Sequence, residues 1–318
     1  MKKESFKNKK IIVTGSSGVI GRELLKYLIE KGADILSVDR LPLPKGNWDK
    51  VTHIQKDLAV DNLDQLVEFN PDIIFHLAAA FERSKESPDF WEINWKDNML
   101  ASHNVVDIAK EMLNLKTFVF ASSYLLYDTS LYMSESIKDV RYLNEKDIVK
   151  PRNLCGGAKL YTENELKFIK NLYLNDLRVI DARIYRVYGR GSKDIISRWV
   201  KMALNNEKLE LYNKDNHFDY VFAGDVAKGL LSLAESSEAE GIVNLATGNP
   251  NPVSNIIKCL IEENILSEEN IIDNGNTEDF EASCADISKL KEITGWEPEI
   301  DLKSGIKKII EYEKKIMN

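Results

Sequence analysis

The chain has 318 residues, of which 43% are hydrophobic and 30% charged, and its formal net charge is −8. The length allows one large or two modest globular domains, and an acidic chain without a basic stripe argues against nucleic-acid binding. No apolar run approaches the length of a membrane span, and MKKESFKNKK precedes the first predicted strand without the apolar core of a signal peptide.

The cysteines and histidines give no sign of a metal site. Cys155, Cys259 and Cys284 are odd in number and far apart, which argues against a disulfide framework and against zinc. The histidines show no ligand-type spacing, and His76 lies in a buried-strand context. We therefore expect no metal and a reducing, cytoplasmic setting.

The first half of the chain alternates strand-like and helix-like segments. Short apolar runs predict strands at 10–15, 33–39, 52–58, 71–79 and 116–123, and a sixth within 177–189. Helical spacing of apolar residues predicts helices at 18–32 and 101–113. Buried strands separated by helices are typical of the α/β class, here a Rossmann-type doubly wound parallel sheet.

Segments after residue 190 are shorter and mixed, which predicts a smaller C-terminal α/β lobe that binds the substrate. We expect a dinucleotide-binding domain at 1–189 and a substrate lobe at 190–318. The stretch 218–247 is expected to return partly to the first domain.

A glycine-rich turn marks the predicted dinucleotide site. TGSSGVIG places Gly15, Gly18 and Gly21 between the first strand and the first helix, where a pyrophosphate can approach free N–H groups. Asp39 ends the second strand, and a carboxylate there binds ribose hydroxyls and repels a 2′-phosphate. This predicts NAD rather than NADP, although the neighbouring Arg40 is a residue type that accommodates that phosphate.

The Gly-x-x-Gly-x-x-Gly spacing and several later motifs resemble the extended short-chain dehydrogenase/reductase family, specifically its NAD-dependent nucleotide-sugar epimerases and dehydratases. The resemblance covers nearly the whole chain through KDL (56–58), HLAA (76–79), FASSYLLYD (120–128), RIYRVYG (183–189), GDVAKGL (224–230) and ADISKLKEITGWEPEI (285–300). It implies that NAD is held by Gly15, Ser17, Gly18, Val19, Ile20, Gly21, Asp39, Arg40, Asp57, Leu58, Leu77, Ala78, Ala79, Asn98, Lys159 and Ile184. Asn94 is an alternative to Asn98.

PRNLCGGAKLYTE (151–163) resembles the family's Tyr-x-x-x-Lys helix, with Lys159 at the lysine and Cys155 at the tyrosine. In the family, the tyrosine takes a proton from a sugar hydroxyl, and the lysine holds the nicotinamide ribose and lowers the tyrosine pKa. A thiol is much shorter than a phenol, so direct reach to the substrate is not expected. Three roles stay open for Cys155: an inert thiol, a thiolate acting through water, or a covalent nucleophile.

Ser123 matches the family's sugar-contacting serine, counted back from Tyr127. Tyr124 and Leu125 stand where related dehydratases carry an aspartate and a glutamate, which argues against 4,6-dehydration. Tyr124 is therefore either an alternative acid/base or an aromatic packing residue. The catalytic candidates are Ser123, Tyr124, Cys155 and Lys159.

The substrate side also departs from the family. Arg186 stands where epimerases often carry asparagine, and Phe218 replaces a common arginine. Arg186 and Arg190 are predicted to hold a diphosphate as bidentate donors, with His217 as a third substrate-binding candidate.

The resemblance implies NAD-dependent oxidation of a nucleotide-activated hexose or heptose, at C4, giving a 4-keto sugar for surface polysaccharide biosynthesis. The loss of the tyrosine favours a dehydrogenase, and a 4-epimerase, an isomerase, is the alternative. An alternative of another class is a catalytically silent protein that binds NAD and a nucleoside-diphosphate sugar. A homodimer through helices 98–113 and 155–172 is also implied.

Overall fold

The protein is described by a computed structural model over residues 5–81, 88–135, 139–276 and 280–317. Its strands are β1 (Lys10–Thr14), β2 (Asp34–Asp39), β3 (Val51–Gln55), β4 (Ile73–His76), β5 (Thr117–Ser123), β6 (Met133–Ser134), β7 (Arg141–Leu143), β8 (Arg178–Ile184), β9 (Arg186–Tyr188), β10 (Leu209–Leu211), β11 (His217–Phe218), β12 (Tyr220–Phe222), β13 (Gly241–Leu245), β14 (Asn251–Pro252), β15 (Ile271–Asp273), β16 (Phe280–Glu281) and β17 (Ser283–Ala285).

The α-helices are α1 (Val19–Glu30), α2 (Asp64–Phe69), α3 (Pro88–Asn94), α4 (Ala101–Ile108), α5 (Leu154–Leu172), α6 (Ile195–Leu204), α7 (Ala223–Glu235), α8 (Val253–Glu262), α9 (Ser288–Thr294) and α10 (Leu302–Met317). A π-helix, Trp95–Leu100, leads into α4, and 3₁₀ turns span Ala109–Glu111, Tyr124–Leu126, Thr129–Leu131 and Glu268–Asn270. The predicted helix at 101–113 is thus α4 followed by a 3₁₀ turn.

Seven parallel strands form the central sheet, in the order β13-β8-β5-β4-β1-β2-β3. The predicted α/β class and doubly wound parallel sheet are confirmed, and all six predicted strands lie in the sheet. The seventh strand, β13, was not predicted. The chain runs outward from β1 through β2 and β3, then returns to β4 on the other side. This reversal between β1 and β4 is where doubly wound sheets bind their ligands.

The apolar runs are continuous because both faces of the sheet are covered. Ile11 and Val13 of β1 pack in a core with α1 and α7, whereas Ile12 packs in the opposite core with α2, α4 and α5. Successive side chains of a strand point to opposite faces, so a strand covered on both sides is apolar at every position.

A third apolar core lies in the second half of the chain, where Trp199, Ile256 and Ile309 pack from α6, α8 and α10. This smaller lobe begins directly beyond β8. The next strand, β9, pairs with β12 in a separate two-stranded sheet and not with the central sheet. The lobe therefore adjoins the carboxyl end of the sheet. Among the residues that the structure describes, no helix is both long and apolar enough to span a bilayer.

Candidate functional site

A cleft of about 380 Å³ lies at the carboxyl ends of β1, β2, β3 and β4. We call it the cofactor cleft, and it is lined by Gly15, Ser17, Gly18, Val38, Asp39, Arg40, Leu41, Lys56, Asp57, Leu58, Leu77, Ala78, Ala79, Asp97 and Ala101. Most residues predicted to hold NAD are in this set. Val19, Ile20 and Gly21 follow in the first turn of α1, and Ile184 ends β8, opposite Ser123.

Glycine is required at two positions of the turn that opens the cofactor cleft. Gly15 has a φ of +68°, and a Cβ there would lie 2.6 Å from the backbone nitrogen of Ala78. A Cβ on Gly21 would lie 2.3 Å from the carbonyl oxygen of Gly15. The backbone and the start of α1 therefore pack without side chains, which leaves helix N–H groups facing the cleft. This cradle fits a dinucleotide pyrophosphate.

The Asp39 carboxylate is fixed at the end of β2, where it lines the cofactor cleft. Its oxygens accept hydrogen bonds from the backbone nitrogens of Ser17, at 3.0 Å, and Leu41, at 2.9 Å. Arg40 forms an ion pair with Asp97 at 3.0 Å. The negative group thus faces the cleft while the neighbouring guanidinium is already partnered, a geometry that fits NAD.

Asp57 lies near Asp39 in the cleft, just after β3, where the preceding Lys56 donates its backbone N–H to the Asp39 carbonyl at 3.0 Å. Lys96 of the π-helix contacts the Asp57 carboxylate at 2.8 Å, and the backbone nitrogen of Ala59 donates to it at 3.0 Å. Burial acts to raise the pKa of Asp57, but these two hydrogen bonds, together with the positive charges of Lys96 and Arg40, lower it below its ordinary value. The Asp57 side chain therefore stays ionised near neutral pH. An ionised carboxylate would suit a hydrogen-bond acceptor for an adenine amino group.

Buried polar side chains hold the loop after β4. His76 contacts Thr14 Oγ1 at 2.7 Å and Ser102 Oγ at 3.0 Å, and burial lowers its pKa to about 3. Asn98 accepts from the backbone nitrogen of Ala80 at 2.7 Å and donates to its carbonyl at 2.9 Å. Asn94 is also buried and accepts from Asn98 at 2.8 Å. Both predicted asparagines therefore belong to one network, in which Asn98 contacts the loop.

Cys155 and Lys159 lie one turn apart at the start of α5. Asn153 caps this helix by accepting from the Gly156 nitrogen at 2.9 Å, and Cys155 Sγ lies 3.8 Å from the Ala80 carbonyl. The Lys159 ammonium sits 4.6 Å from the Phe120 ring centroid. Burial lowers the pKa of Lys159 to about 8, although Cys155 partly opposes the shift. Part of the lysine population is therefore a neutral amine near pH 8.

Ser123 and Tyr124 follow at the end of β5. Ser123 Oγ accepts from the Leu125 nitrogen at 3.2 Å. Tyr124 is 5% exposed, stacks on Tyr185 at a ring-centroid distance of 4.9 Å, and donates to Glu281 Oε1 at 3.4 Å. Burial raises the pKa of Tyr124 to about 12 despite the nearby Arg186 and Arg152. Near neutral pH, Tyr124 is a neutral, packed phenol.

Three charged side chains meet beside Tyr124, and we call them the Glu281 cluster. Arg152 Nη1 lies 2.6 Å and Arg186 Nη2 lies 3.2 Å from Glu281 Oε2. Arg186 is a residue predicted from the sequence, whereas Arg152 and Glu281 are not. No local pattern marks them, since Glu281 lies 129 residues beyond Arg152.

The other predicted substrate residues occupy different places. Arg190 donates to both oxygens of the buried Glu23 on α1, at 2.7 and 2.9 Å. A diphosphate would have to compete with that carboxylate, so a role for Arg190 in binding stays a prediction. His217 opens β11, and its backbone bridges to Ala282, next to the Glu281 cluster. Within the described ranges, His217 Nδ1 has no hydrogen-bond partner.

Comparison with known proteins gives a consistent result. Residues 11–246 match the model of the NAD dependent epimerase/dehydratase family. A putative UDP-glucose 4-epimerase of Methanocaldococcus jannaschii is 28% identical over 317 residues, which cover 96% of this chain and 98% of that protein.

Two solved proteins share the fold over nearly their full lengths. MoeE5 in complex with UDP-glucose and NAD has a TM-score of 0.83 at 26% identity, covering 97% of this chain and 100% of that one. Its complex with UDP-glucuronic acid and NAD has a TM-score of 0.82 at 25% identity, with coverage of 96% and 99%. The UDP-glucose 4-epimerase of Thermotoga maritima, with UDP-glucose, has a TM-score of 0.82 at 25% identity, with coverage of 97% and 100%.

Proposed function

Because the chain belongs to the NAD dependent epimerase/dehydratase family, we propose that it oxidises a nucleotide-activated hexose or heptose at C4 to a 4-keto sugar. We further propose UDP as the nucleotide, since the similar proteins include complexes with UDP-sugars. The product would serve surface polysaccharide biosynthesis.

One observation carries the proposal: the start of α5, which bears Cys155 and Lys159, contacts the loop that lines the cofactor cleft. Cys155 and Asn98 contact Ala80, in the loop that lines the cleft, and Lys159 lies one turn further along α5. Gly156 permits this approach, because a Cβ there would lie 2.7 Å from the Leu125 carbonyl oxygen, just beyond Ser123. NAD held in the cofactor cleft would supply the acceptor for a hydride from the sugar carbon.

The proton must go to a group of this chain, and we assign it to Lys159. A base works best when its pKa is near the operating pH, and the pKa of Lys159 is about 8. The phenol of Tyr124 is less suited, because its pKa of about 12 keeps it protonated. Because the thiol of Cys155 is too short to reach the sugar hydroxyl directly, we expect the proton to pass to Lys159 through one water. Ser123 would orient the hydroxyl.

The fate of the 4-keto sugar separates two outcomes. Release would make the protein a dehydrogenase, and return of the hydride to the other face would make it a 4-epimerase. The similarity to UDP-glucose 4-epimerases favours the second outcome. The loss of the tyrosine slows proton transfer in both directions, which favours the first.

A substrate panel tests the proposal. Purified protein with its NAD content measured is incubated with UDP-, GDP- and dTDP-sugars in deuterated water. A dehydrogenase should release a ketone with lasting NADH absorbance, whereas an epimerase should give a sugar inverted at C4 with NAD regenerated. Tight NAD binding without turnover on any sugar would overturn the enzyme proposal and favour a silent binding protein.

We also propose a homodimer through the helices at 98–113 and 155–172. On α5, Tyr161, Phe168 and Leu172 are 43%, 62% and 70% exposed. Their spacings of seven and four residues place them on one helix face. Light scattering should give twice the chain mass for the native protein and a monomer for Phe168→Asp. A native monomer would contradict the proposal.

A further inference from the structure

The Glu281 cluster is a built arrangement at the junction of the sheet and the smaller lobe. Glu281 is 3% exposed, and its carboxylate contacts Arg152, Arg186, Tyr124 and Ser283. Breaking such a buried pair leaves charges uncompensated, so the carboxylate and its arginines are held together. This fixes where both guanidiniums lie.

Aromatic packing further fixes the orientation of the Arg186 guanidinium. The Arg186 guanidinium lies 3.6 Å from the centroid of the Phe218 ring, within the range of a cation–π contact. Its Nε atom is buried with no hydrogen-bond partner among the described residues. Arg186 is thus fixed in orientation by Phe218 on one side and Glu281 on the other.

Both arginines nevertheless remain open to solvent. The side chains of Arg152 and Arg186 are 28% and 35% exposed. A guanidinium has five N–H donors, and Glu281 contacts one nitrogen of each arginine. The cluster therefore presents further donors to a ligand while its own carboxylate stays buried.

The position of the cluster relates it to the sugar rather than to the nucleotide. Ser123 pairs in register with Ile184, and Arg186 follows Ile184 by two residues. Tyr124, directly after Ser123, contacts the cluster itself. A group recognised here would be attached close to the hydroxyl that Ser123 orients.

Charge decides which group fits. Two guanidiniums and one carboxylate leave a single net positive charge, and Tyr124, which donates to Glu281, is neutral near pH 7 because burial raises its pKa to about 12. One carboxylate balances this charge, whereas the diphosphate of a nucleotide sugar carries about two negative charges.

We propose that Arg152 and Arg186 bind a carboxylate on the sugar ring of the substrate, with Glu281 as the residue that positions both guanidiniums. The preferred substrate is then a nucleoside-diphosphate uronate or a related acidic sugar. This inference rests on the proposed function and narrows it to one substrate class.

Two probes separate this inference from the proposed function. UDP-glucose and UDP-glucuronate differ only in the group at C6, a hydroxymethyl or a carboxylate. Calorimetric titration of the NAD-loaded protein should give a Kd for UDP-glucuronate at least about tenfold below that for UDP-glucose, as expected for one charge-assisted contact.

Arg186→Gln should raise the Kd of UDP-glucuronate by about 10- to 100-fold and that of UDP-glucose by less than about threefold. Arg152→Gln should act in the same direction. Arg198→Gln, an exposed arginine on α6, is the matched control and should leave both values unchanged.

Glu281→Gln tests the positioning role while keeping the side-chain shape. It should remove the preference for UDP-glucuronate, and Glu281→Asp should restore part of it. Thermal unfolding of each variant shows whether the fold is retained, and the two arginine variants test the inference even where Glu281→Gln fails to fold.

Each outcome has a distinct meaning. Equal losses for both sugars in the arginine variants would show that the arginines bind the diphosphate, and would overturn the inference alone. Equal wild-type affinities would do the same. Binding of neither sugar by the NAD-loaded protein would overturn the proposed function, and the inference with it.

Discussion

The two halves of the site are built in different ways. In the cofactor cleft, backbone and glycine do most of the shaping, and the turn from Gly15 to Gly21 would be filled by a single Cβ at either end. On the substrate side, charged and aromatic side chains from distant segments converge, as in the contacts of Glu281 with Arg152 and Arg186. A surface of backbone groups suits a ligand that does not vary, whereas a surface of side chains can change its ligand through single substitutions.

The largest expected effect lies at Lys159, where the two halves meet. Lys159→Arg keeps a positive charge near the cofactor but cannot lose its proton, so turnover should fall by about 10²- to 10⁴-fold. NAD content should change by no more than a few-fold. The measurement is the initial rate with the best sugar of the panel, beside NAD quantified after denaturation.

The wild-type pH profile completes this test. The pKa of Lys159 is lowered to about 8, so the neutral amine forms as the pH rises through that value. The turnover number should therefore rise from about pH 6 and level off above about pH 8 to 9. A profile that is flat across this range, or an arginine variant with near-native turnover, would assign the base elsewhere.

The next largest effect tests the backbone surface. Gly15→Ala would place a Cβ 2.6 Å from the Ala78 nitrogen at a φ of +68°, so NAD affinity should fall by about 100-fold or more. Gly157→Ala is the matched control, because a Cβ there meets no described atom within 4 Å apart from its chain neighbours and the nearby backbone of its own helix. It should keep NAD affinity and raise stability by about 0.5 to 1 kcal/mol. Fluorescence titration with NADH measures the cofactor affinity of both variants. An equal loss of affinity in Gly15→Ala and Gly157→Ala would contradict the idea that the backbone at Gly15 shapes the cleft.

A smaller effect, on the choice between NAD and NADP, is expected at Asp39. Asp39→Asn removes the negative charge but keeps the side-chain shape, so the preference for NAD over NADP should narrow by about tenfold. Titration with both cofactors gives the ratio directly. If the ratio does not change, Asp39 does not select the cofactor, and Arg40→Gln would show whether its neighbour does.

The smallest effect is expected at Cys155. If Lys159 receives the proton through water, Cys155→Ala should keep turnover within about threefold of the native value. Cys155→Tyr should raise the rate of C4 inversion, because a phenol can reach the hydroxyl without a water. Loss of turnover in Cys155→Ala at normal NAD content would give the thiol an active role.

The cofactor half was accessible from sequence because its contacts are local. Gly15, Asp39 and Asp57 each lie at or just beyond the carboxyl end of a strand of the central sheet. The order of strands and turns therefore already brings them together. The cleft lining in the structure contains most of the residues predicted from those turns. Of the seven strands of the central sheet, β13 alone was missed, since GIVNL includes the polar Asn244 and lies among the shorter mixed segments of the second half.

The substrate half was less accessible because its contacts depend on how the smaller lobe folds back. Arg152 precedes α5 and Glu281 ends β16, and neither segment carries a pattern that points to the other. Asn244 shows the same limit: it is buried in β13 because it accepts from the Tyr127 hydroxyl at 2.7 Å and donates to the Leu143 carbonyl at 2.9 Å. Such long-range polar pairs leave no periodic signal.

The sheet order has a mechanical consequence for the smaller lobe. The chain leaves the sheet at the end of β8 and returns in β13, and these two strands are hydrogen-bonded neighbours. The smaller lobe takes α6 from between these two strands and α8 and α10 from after β13, so its chain connections leave the sheet from two adjacent strands. We expect an opening that admits a sugar to turn the lobe about these connections. Arg186 lies two residues beyond the end of β8, so its distance from Glu281 is the one to follow during such an opening.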